Sequence, residues 1–312
     1  MIEKRPLGET PLRISRIGFG CGTGAGLMTG NDTDLQRQVI EYAVNEGISF
    51  FDVASVYGDG LAEKNLGLAL RGVKDEVTVG TKIALQWGDL DDIYNASKRE
   101  LLASLDRLGM PRVALLQIHN HIGLNTERDL PEAPGPRLGL EHMLGHRGVL
   151  EAFHKLKSEG LVETIAFTSF GGEVQAMTEL LDHGGFDATD VEFNVRDQSK
   201  LRDCIRCGGI DPSCDHESII SLAVKRGVGM FSIRPLAGGS RAPVSVPNAV
   251  HEQIDKLVEE GVITSFAEGA LRFVLGVDTL SSVVLGMYKL EHIRSAVAAA
   301  RLGPLPELQL QA

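Results

Sequence analysis

Residues 47–70 read GISFFDVASVYGDGLAEKNLGLAL. The run from Ile48 to Phe51 is apolar and of strand length. It leads through one acid, Asp52, and one phenol, Tyr57, into a turn marked by Gly58 and Gly60. A helical pattern follows, with Leu66, Ala69 and Leu70 at i, i+3 and i+4. Strand, polar turn and helix therefore succeed one another, with ionisable groups at the strand's C-terminal end. In parallel α/β folds that end is where sites are built.

Working outward, two further strand ends carry chemistry. Residues 77–83, VTVGTKI, set Lys82 in a β-branched run, and residues 113–120, VALLQIHN, bring His119 to the end of another. A parallel barrel would gather the acid, the phenol, the lysine and the imidazole on one face. These groups suit proton donation to a carbonyl oxygen. A free tyrosine, with a pKa of about 10, is a poor acid near neutrality. A neighbouring ammonium is expected to lower that pKa, and an acid paired with the lysine to keep it charged and placed.

The same alternation fills the chain. Strands are expected at 16–20, 48–53, 77–83, 113–119, 163–168, 189–194, 228–233 and 282–286. Helices are expected at 33–45, 61–71, 92–108, 148–159, 173–183, 216–226, 251–275 and 289–300. Eight such units in 312 residues predict an α/β fold, a (β/α)8 TIM barrel, as one domain over 1–312. A doubly wound sheet would need fewer strands. Residues 2–14 read as a short N-terminal β-hairpin around Gly8, Glu9 and Thr10 that closes one barrel end. Two long connections, 121–147 and 195–215, fall on the catalytic side and are candidates for the substrate wall. The tail after residue 302 is short.

DVASVYG, EKNLGLAL, TK at 81–82 and SKRELLASLDRLGMPRVALLQIHN together resemble the aldo-keto reductases, and the resemblance spans nearly the whole length. It implies a nicotinamide-dependent oxidoreductase with a catalytic tetrad at Asp52, Tyr57, Lys82 and His119. The cofactor, NADP or NAD, would lie across the strand C-terminal ends. The substrate implied is a small carbonyl compound or sugar, interconverted with its alcohol or lactone, with Trp87 and His119 lining the pocket. The family pattern places Gly22, Thr23 and Asp52 beside the nicotinamide, and Thr168 and Ser169 at its carboxamide. Asp190 stands where many members have Gln, and Ile233 where a Tyr usually stacks on the ring. Arg234, Leu236 and Gly238 fall in the pyrophosphate segment, and Gly286, Met287 and His292 at the adenosine end. Members that prefer NADPH often carry a basic residue at the position of Gly286 or Tyr288 and Asn at that of Ala296. Here Lys289 is the nearest cation.

Other readings are weighed against these. A non-enzymatic cofactor sensor on the same fold is the rival from another class. His119 and His121 form an H-x-H of the kind metal hydrolases use, but later strands supply no His, so no metal is expected there. Gly20, Gly22 and Ala25 match a dinucleotide fingerprint, yet Gly30 and Asn31 interrupt the helix that such a loop requires. Cys204, Cys207 and Cys214 with His216 could hold zinc; the spacing favours ordinary loop cysteines.

Composition narrows the partners. A net charge of −11 opposes binding to nucleic acid or an anionic membrane. The N-terminus MIEKRPLGETPL lacks a signal peptide's apolar core, and no apolar run reaches the ~18 residues of a membrane span. Four cysteines fit a reduced, cytoplasmic protein. Neither composition nor motif specifies an oligomeric state.

Overall fold

In the computed structural model, residues 2–73, 77–131, 133–195, 219–236 and 249–305 are described. An antiparallel hairpin, β1 (Lys4–Pro6) and β2 (Arg13–Ser15), precedes eight parallel strands. These are β3 (Ile17–Gly20), β4 (Phe50–Asp52), β5 (Thr78–Ile83), β6 (Val113–Ile118), β7 (Val162–Thr168), β8 (Ala188–Glu192), β9 (Gly229–Ile233) and β10 (Ser282–Gly286). The strands pair in chain order, and β10 closes the ring by pairing with β3. The expected (β/α)8 barrel with its hairpin is the observed fold.

The helices among the described residues are α1 (Thr33–Asn45), α2 (Leu61–Ala69), α3 (Ile93–Leu108), α4 (Leu140–Leu144), α5 (Val149–Ser158) and α6 (Val174–His183). They continue with α7 (Ile219–Lys225), α8 (Ala249–Glu259), α9 (Phe266–Leu275) and α10 (Leu290–Leu302). Local chemistry sets their ends. Asp32 caps α1 by accepting from the Leu35 N–H at 2.9 Å, and Gly47 turns the chain away with φ of 97°. The buried carboxylate of Glu63 on α2 takes Arg107 Nε of α3 at 2.6 Å and the Thr81 hydroxyl of β5 at 2.5 Å. That three-way tie fixes the helix that begins just after Tyr57.

One expected helix, 251–275, is two. Gly261 adopts φ of 71°, which a continuing helix does not tolerate, and β-branched Val262, Ile263 and Thr264 follow. Ser265 then caps α9 by accepting from the Glu268 N–H at 3.2 Å, while the Glu268 carboxylate takes the Thr264 N–H at 2.9 Å. Two short elements also stand where plain connections were expected: α4, and a 3-10 turn over Trp87–Asp92.

The barrel interior is built in layers. Phe50, Leu115, Ala166, Ala188, Phe231 and Val284 pack into one apolar cluster with Leu7, Leu12 and Ile14 of the hairpin segment, which plugs the lower end. Full burial of a large apolar side chain contributes about 1.5–3 kcal/mol, so this layer is a foundation. Strand side chains alternate, so residues two positions further on face the same interior, one layer nearer the C-terminal ends. Those residues are Asp52, Gln117, Thr168, Asp190, Ile233 and Gly286. The intervening residues Phe51, Leu116 and Phe167 face outward into the cluster formed with the helices. Burial on both faces is why the strands read as nearly continuous apolar runs.

Candidate active site

The polar layer of the barrel mouth brings the four expected catalytic residues together. Lys82 Nζ lies 2.6 and 2.7 Å from the two Asp52 carboxylate oxygens and 3.2 Å from the Val53 carbonyl. Both side chains are buried. The backbone explains the placement. β4 and β5 pair Asp52 with Gly80, the Ser55 N–H donates to the Lys82 carbonyl at 3.0 Å, and the Tyr57 N–H to the Ala54 carbonyl at 3.2 Å. The turn therefore folds back over β5. Tyr57 stands with its ring centroid 5.3 Å from Lys82 Nζ. The His119 ring meets it edge-on, at 5.6 Å and 83°. The His119 N–H donates to the Ile83 carbonyl at 2.8 Å, which ties the end of β6 to that of β5.

The electrostatics follow from burial and from this pair. Burial alone would push the Lys82 ammonium down, but Asp52 and the Tyr57 phenol more than offset it, so lysine stays charged. Burial pushes the Tyr57 phenol up, and Lys82 only partly draws it back. This corrects the expectation of a lowered tyrosine pKa. The phenol is fully protonated near neutrality, loaded as a donor, and its partner would be an oxygen that becomes a much stronger base as it accepts electrons. Burial and then Lys82 push the His119 imidazole down from 6.5 to about 3. A neutral imidazole therefore faces the phenol, and its buried Nδ1 has no hydrogen-bond partner among the described residues.

That shift carries a stability consequence. The unfolded chain takes up the His119 proton near pH 6.5 and the folded chain only near 3. The contribution of neutral His119 is therefore complete above pH 6.5 and is lost as pH falls toward 3. As pH falls from 6.5 toward 3, wild type should lose thermal stability relative to His119→Gln, whose amide takes up no proton. Parallel pH dependences in the two proteins would mean that His119 is not held neutral.

Around the tetrad lies a second set of residues. The Asp190 carboxylate accepts from the Thr168 hydroxyl at 3.0 Å, from the Ser169 N–H at 2.9 Å and from Gln117 Nε2 at 2.7 Å. The Ser169 hydroxyl donates to the Asp190 carbonyl at 2.6 Å. Both hydroxyls expected at the carboxamide thus point to Asp190. Gln117 escaped the sequence reading, although it sits two residues before His119 and so shares its inward direction. Its Oε1 is buried with no hydrogen-bond partner among the described residues.

The expected cofactor positions form the rest of the mouth. A Cβ on Gly22 would lie 3.9 Å from the Tyr57 ring, and one on Gly286 would meet the Ala25 Cβ at 2.9 Å. The 22–25 turn and the end of β10 therefore make a cradle that side chains would fill. Thr23 is exposed, and no helix opens after this turn, so the apparent dinucleotide fingerprint has no phosphate-loop geometry. Arg234 follows β9 with φ of 52°, an unusual conformation for a residue with a Cβ, and lies 4.1 Å from the centroid of the Phe170 ring. Leu236 packs partly on the core, and the Met287 side chain is buried. Tyr288 is half-exposed and meets the His292 ring edge-on at 4.2 Å. Gly238, Cys204, Cys207, Cys214, His216 and the 195–215 connection, save Val195, lie outside the described residues.

The segment after β6 is tied down. Asn120 donates to the Leu85 and Pro136 carbonyls, both at 2.9 Å, and Gln86 Nε2 to the Pro134 carbonyl at 2.8 Å. His121 turns away to Asp129 at 2.9 Å, which also receives Arg137 at 3.4 Å. Trp87 is 53% exposed and borders an open groove of about 300 Å3 with Arg128, Leu130, Pro131 and Pro136. No group of three or more His, Cys, Asp or Glu side chains among the described residues is arranged to hold a metal ion. No helix among them is long and apolar enough to cross a membrane.

Comparison with known proteins accords with this geometry. The profile of the Aldo/keto reductase family matches residues 16–312. An uncharacterized oxidoreductase of Bacillus subtilis is 24% identical over 323 residues, 100% of this chain and 95% of that protein. The L-galactose dehydrogenase of Arabidopsis thaliana is 24% identical over 314 residues, 96% of this chain and 88% of its own. An aldo-keto reductase from Klebsiella pneumoniae, solved in complex with NADPH, superposes with a TM-score of 0.71 at 17% identity, covering 99% of this chain and 93% of that one.

Proposed function

Because the chain belongs to the aldo/keto reductase family, we propose that it is a nicotinamide-dependent oxidoreductase interconverting a carbonyl compound and the corresponding alcohol or lactone. The observation that carries this reading is Tyr57 set between the His119 imidazole and a Lys82 held by Asp52. Tyr57 donates its proton to the carbonyl oxygen, or as phenolate takes it from the alcohol. Lys82 stabilises the phenolate that forms, and Asp52 holds Lys82 in place. His119, neutral, orients the oxygen by hydrogen bonding without competing for the proton. When bound, the cofactor supplies or accepts the hydride at the adjacent carbon.

The residues of the mouth fit such a cofactor. The unpartnered Gln117 Oε1 and the open turn at Gly22 favour a planar amide-bearing ring beside Tyr57. Thr23, Thr168, Ser169 and Asp52 would flank that ring. Arg234, Leu236, Gly238, Gly286, Met287 and His292 would follow the rest of the molecule. A panel of aldehydes, ketones and aldoses, L-galactose included, assayed in both directions with each cofactor tests the reading. Tight cofactor binding without turnover of any of them would favour the sensor instead.

Cofactor preference gives a sharper expectation. A 2′-phosphate needs cations, since an unpaired dianion in a protein site is costly. Among the described residues of this segment Gly286 and Tyr288 are uncharged, Arg294 lies 5.5 Å from the Tyr42 ring centroid, and Lys289 is 5.8 Å from that of the adjacent Tyr288. One charge-assisted contact is worth about 1.5–3 kcal/mol, or roughly tenfold to a hundredfold. NAD(H) is therefore expected to be used at least comparably to NADP(H) by the ratio of kcat/KM. An NADPH preference above about a hundredfold would reveal a phosphate site elsewhere. Tyr288→Arg should shift the ratio toward NADP(H).

A further inference from the structure

We propose that the groove beside Trp87 receives the remote end of the substrate, and that this substrate is a carbonyl compound with an aromatic arm ending in a carboxylate. The proposal names a substrate class for the oxidoreductase reading above and rests on it.

The walls of the groove are held by the barrel. Asn120, which follows His119, accepts from the Leu85 N–H at 2.8 Å and donates to the Leu85 and Pro136 carbonyls, both at 2.9 Å. Gly135 lies so close to the segment after β5 that an added Cβ would stand 2.3 Å from the Leu85 carbonyl oxygen. Gln86 Nε2 donates to the Pro134 carbonyl at 2.8 Å, and Arg137 joins Glu127 at 3.2 Å and Glu173 at 3.0 Å. The strap after β6 is thereby clamped against the strand end that carries Lys82. Gln86, in the groove wall, follows Lys82 so closely that at most about 14 Å of extended chain separates the two.

Between these walls the groove encloses about 300 Å3. Trp87 is 53% exposed and Leu130 57%, and both line it with Pro131 and Pro136. Large apolar side chains gathered in one open groove mark a ligand surface, and a flat aromatic ring laid on the indole would cover it. A polyhydroxylated arm would find few partners here, because the Gln86 amide nitrogen is already bound to Pro134. Two charged residues border the groove, Arg128 and Asp129. The Asp129 side chain is 1% exposed and lies 2.9 Å from His121 Nδ1 and 3.4 Å from Arg137, so its charge is turned away from the groove. Arg128 is exposed and enters no ion pair among the described residues. The groove therefore presents one cation beside an apolar wall. A planar guanidinium matches one carboxylate through two parallel hydrogen bonds, whereas a phosphate dianion would call for further cations. A biphenyl arm suits the reach from the barrel mouth.

Trp87 is the single tryptophan of the chain, so its fluorescence reports on the groove without turnover. Para-phenylbenzoate, titrated into the purified full chain, should quench it saturably and bind about tenfold more tightly than the neutral para-phenylbenzamide. Arg128→Met removes the charge and should abolish that difference. With cofactor present, para-(para-formylphenyl)benzoate should exceed its methyl ester in kcat/KM by about tenfold, and the same variant should bring the ratio toward unity. Equal affinity of wild type for acid and amide overturns the inference, as does a preference unchanged in Arg128→Met. Binding of the acid without turnover of its aldehyde, while other carbonyl compounds react, also overturns it; the oxidoreductase reading then stands. Failure of every carbonyl compound to react, with cofactor bound, overturns both.

Discussion

Tyr57→Phe is expected to lower kcat by about 10²–10⁴-fold while cofactor affinity changes little. The substitution keeps the ring that meets His119 at 5.6 Å and removes only the hydroxyl. His119 does not replace it as an acid near neutrality, because its imidazole takes a proton only near pH 3. The loss should therefore fall on the chemical step, with KM and the Kd of the cofactor nearly unchanged. Wild-type turnover by this variant would remove Tyr57 from the mechanism. A parallel loss of cofactor binding would instead assign the hydroxyl to holding the ligand.

The second large effect is on stability. Lys82→Met leaves Asp52 buried without its cation, and breaking one side of a buried pair costs about 3–5 kcal/mol. Asp52→Asn combined with Lys82→Met removes both charges, and should recover a substantial part of that loss. Chemical denaturation of the two variants against wild type reads the difference. A single variant destabilised by less than about 1 kcal/mol would show that the pair is not ionised in the folded protein. The double variant should remain inactive, since its phenol has lost the ammonium that stabilises the phenolate.

The barrel and the tetrad were legible because each rests on a local, periodic signal. Strands such as VTVGTKI and ISFFD are made mostly of apolar and small residues because both faces are buried, and Lys82 and Asp52 are the charged members that break the two runs. The break between α8 and α9 was harder, because amphipathic spacing continues across Gly261 and the cap at Ser265 looks like one more polar surface residue. Gln117 was missed because an amide inside an apolar strand reads as a structural hydrogen-bonder; its direction follows from counting back two from His119. The position of Asp190 was read, but its ring of donors joins Gln117, Thr168 and Ser169 from separate strand ends, and no spacing in the chain encodes such a junction. The net rise of the Tyr57 pKa was also beyond the sequence, because it depends on how far burial outweighs one ammonium.

The two-tiered interior has a bearing on how such a protein can change. Phe50, Leu115, Phe231 and their neighbours form the lower tier, while the upper tier above them faces the barrel mouth. Variation at Thr168, Asp190, Ile233 or Gly286 therefore alters what is recognised while leaving the lower tier intact. A gene library randomised at those four codons should yield mostly folded proteins with scattered preferences. The same diversity placed two codons upstream, at Ala166, Ala188, Phe231 and Val284, should yield mostly aggregates. Natural drift would be channelled in the same way, with new reactivity accumulating along the rim of an inherited barrel.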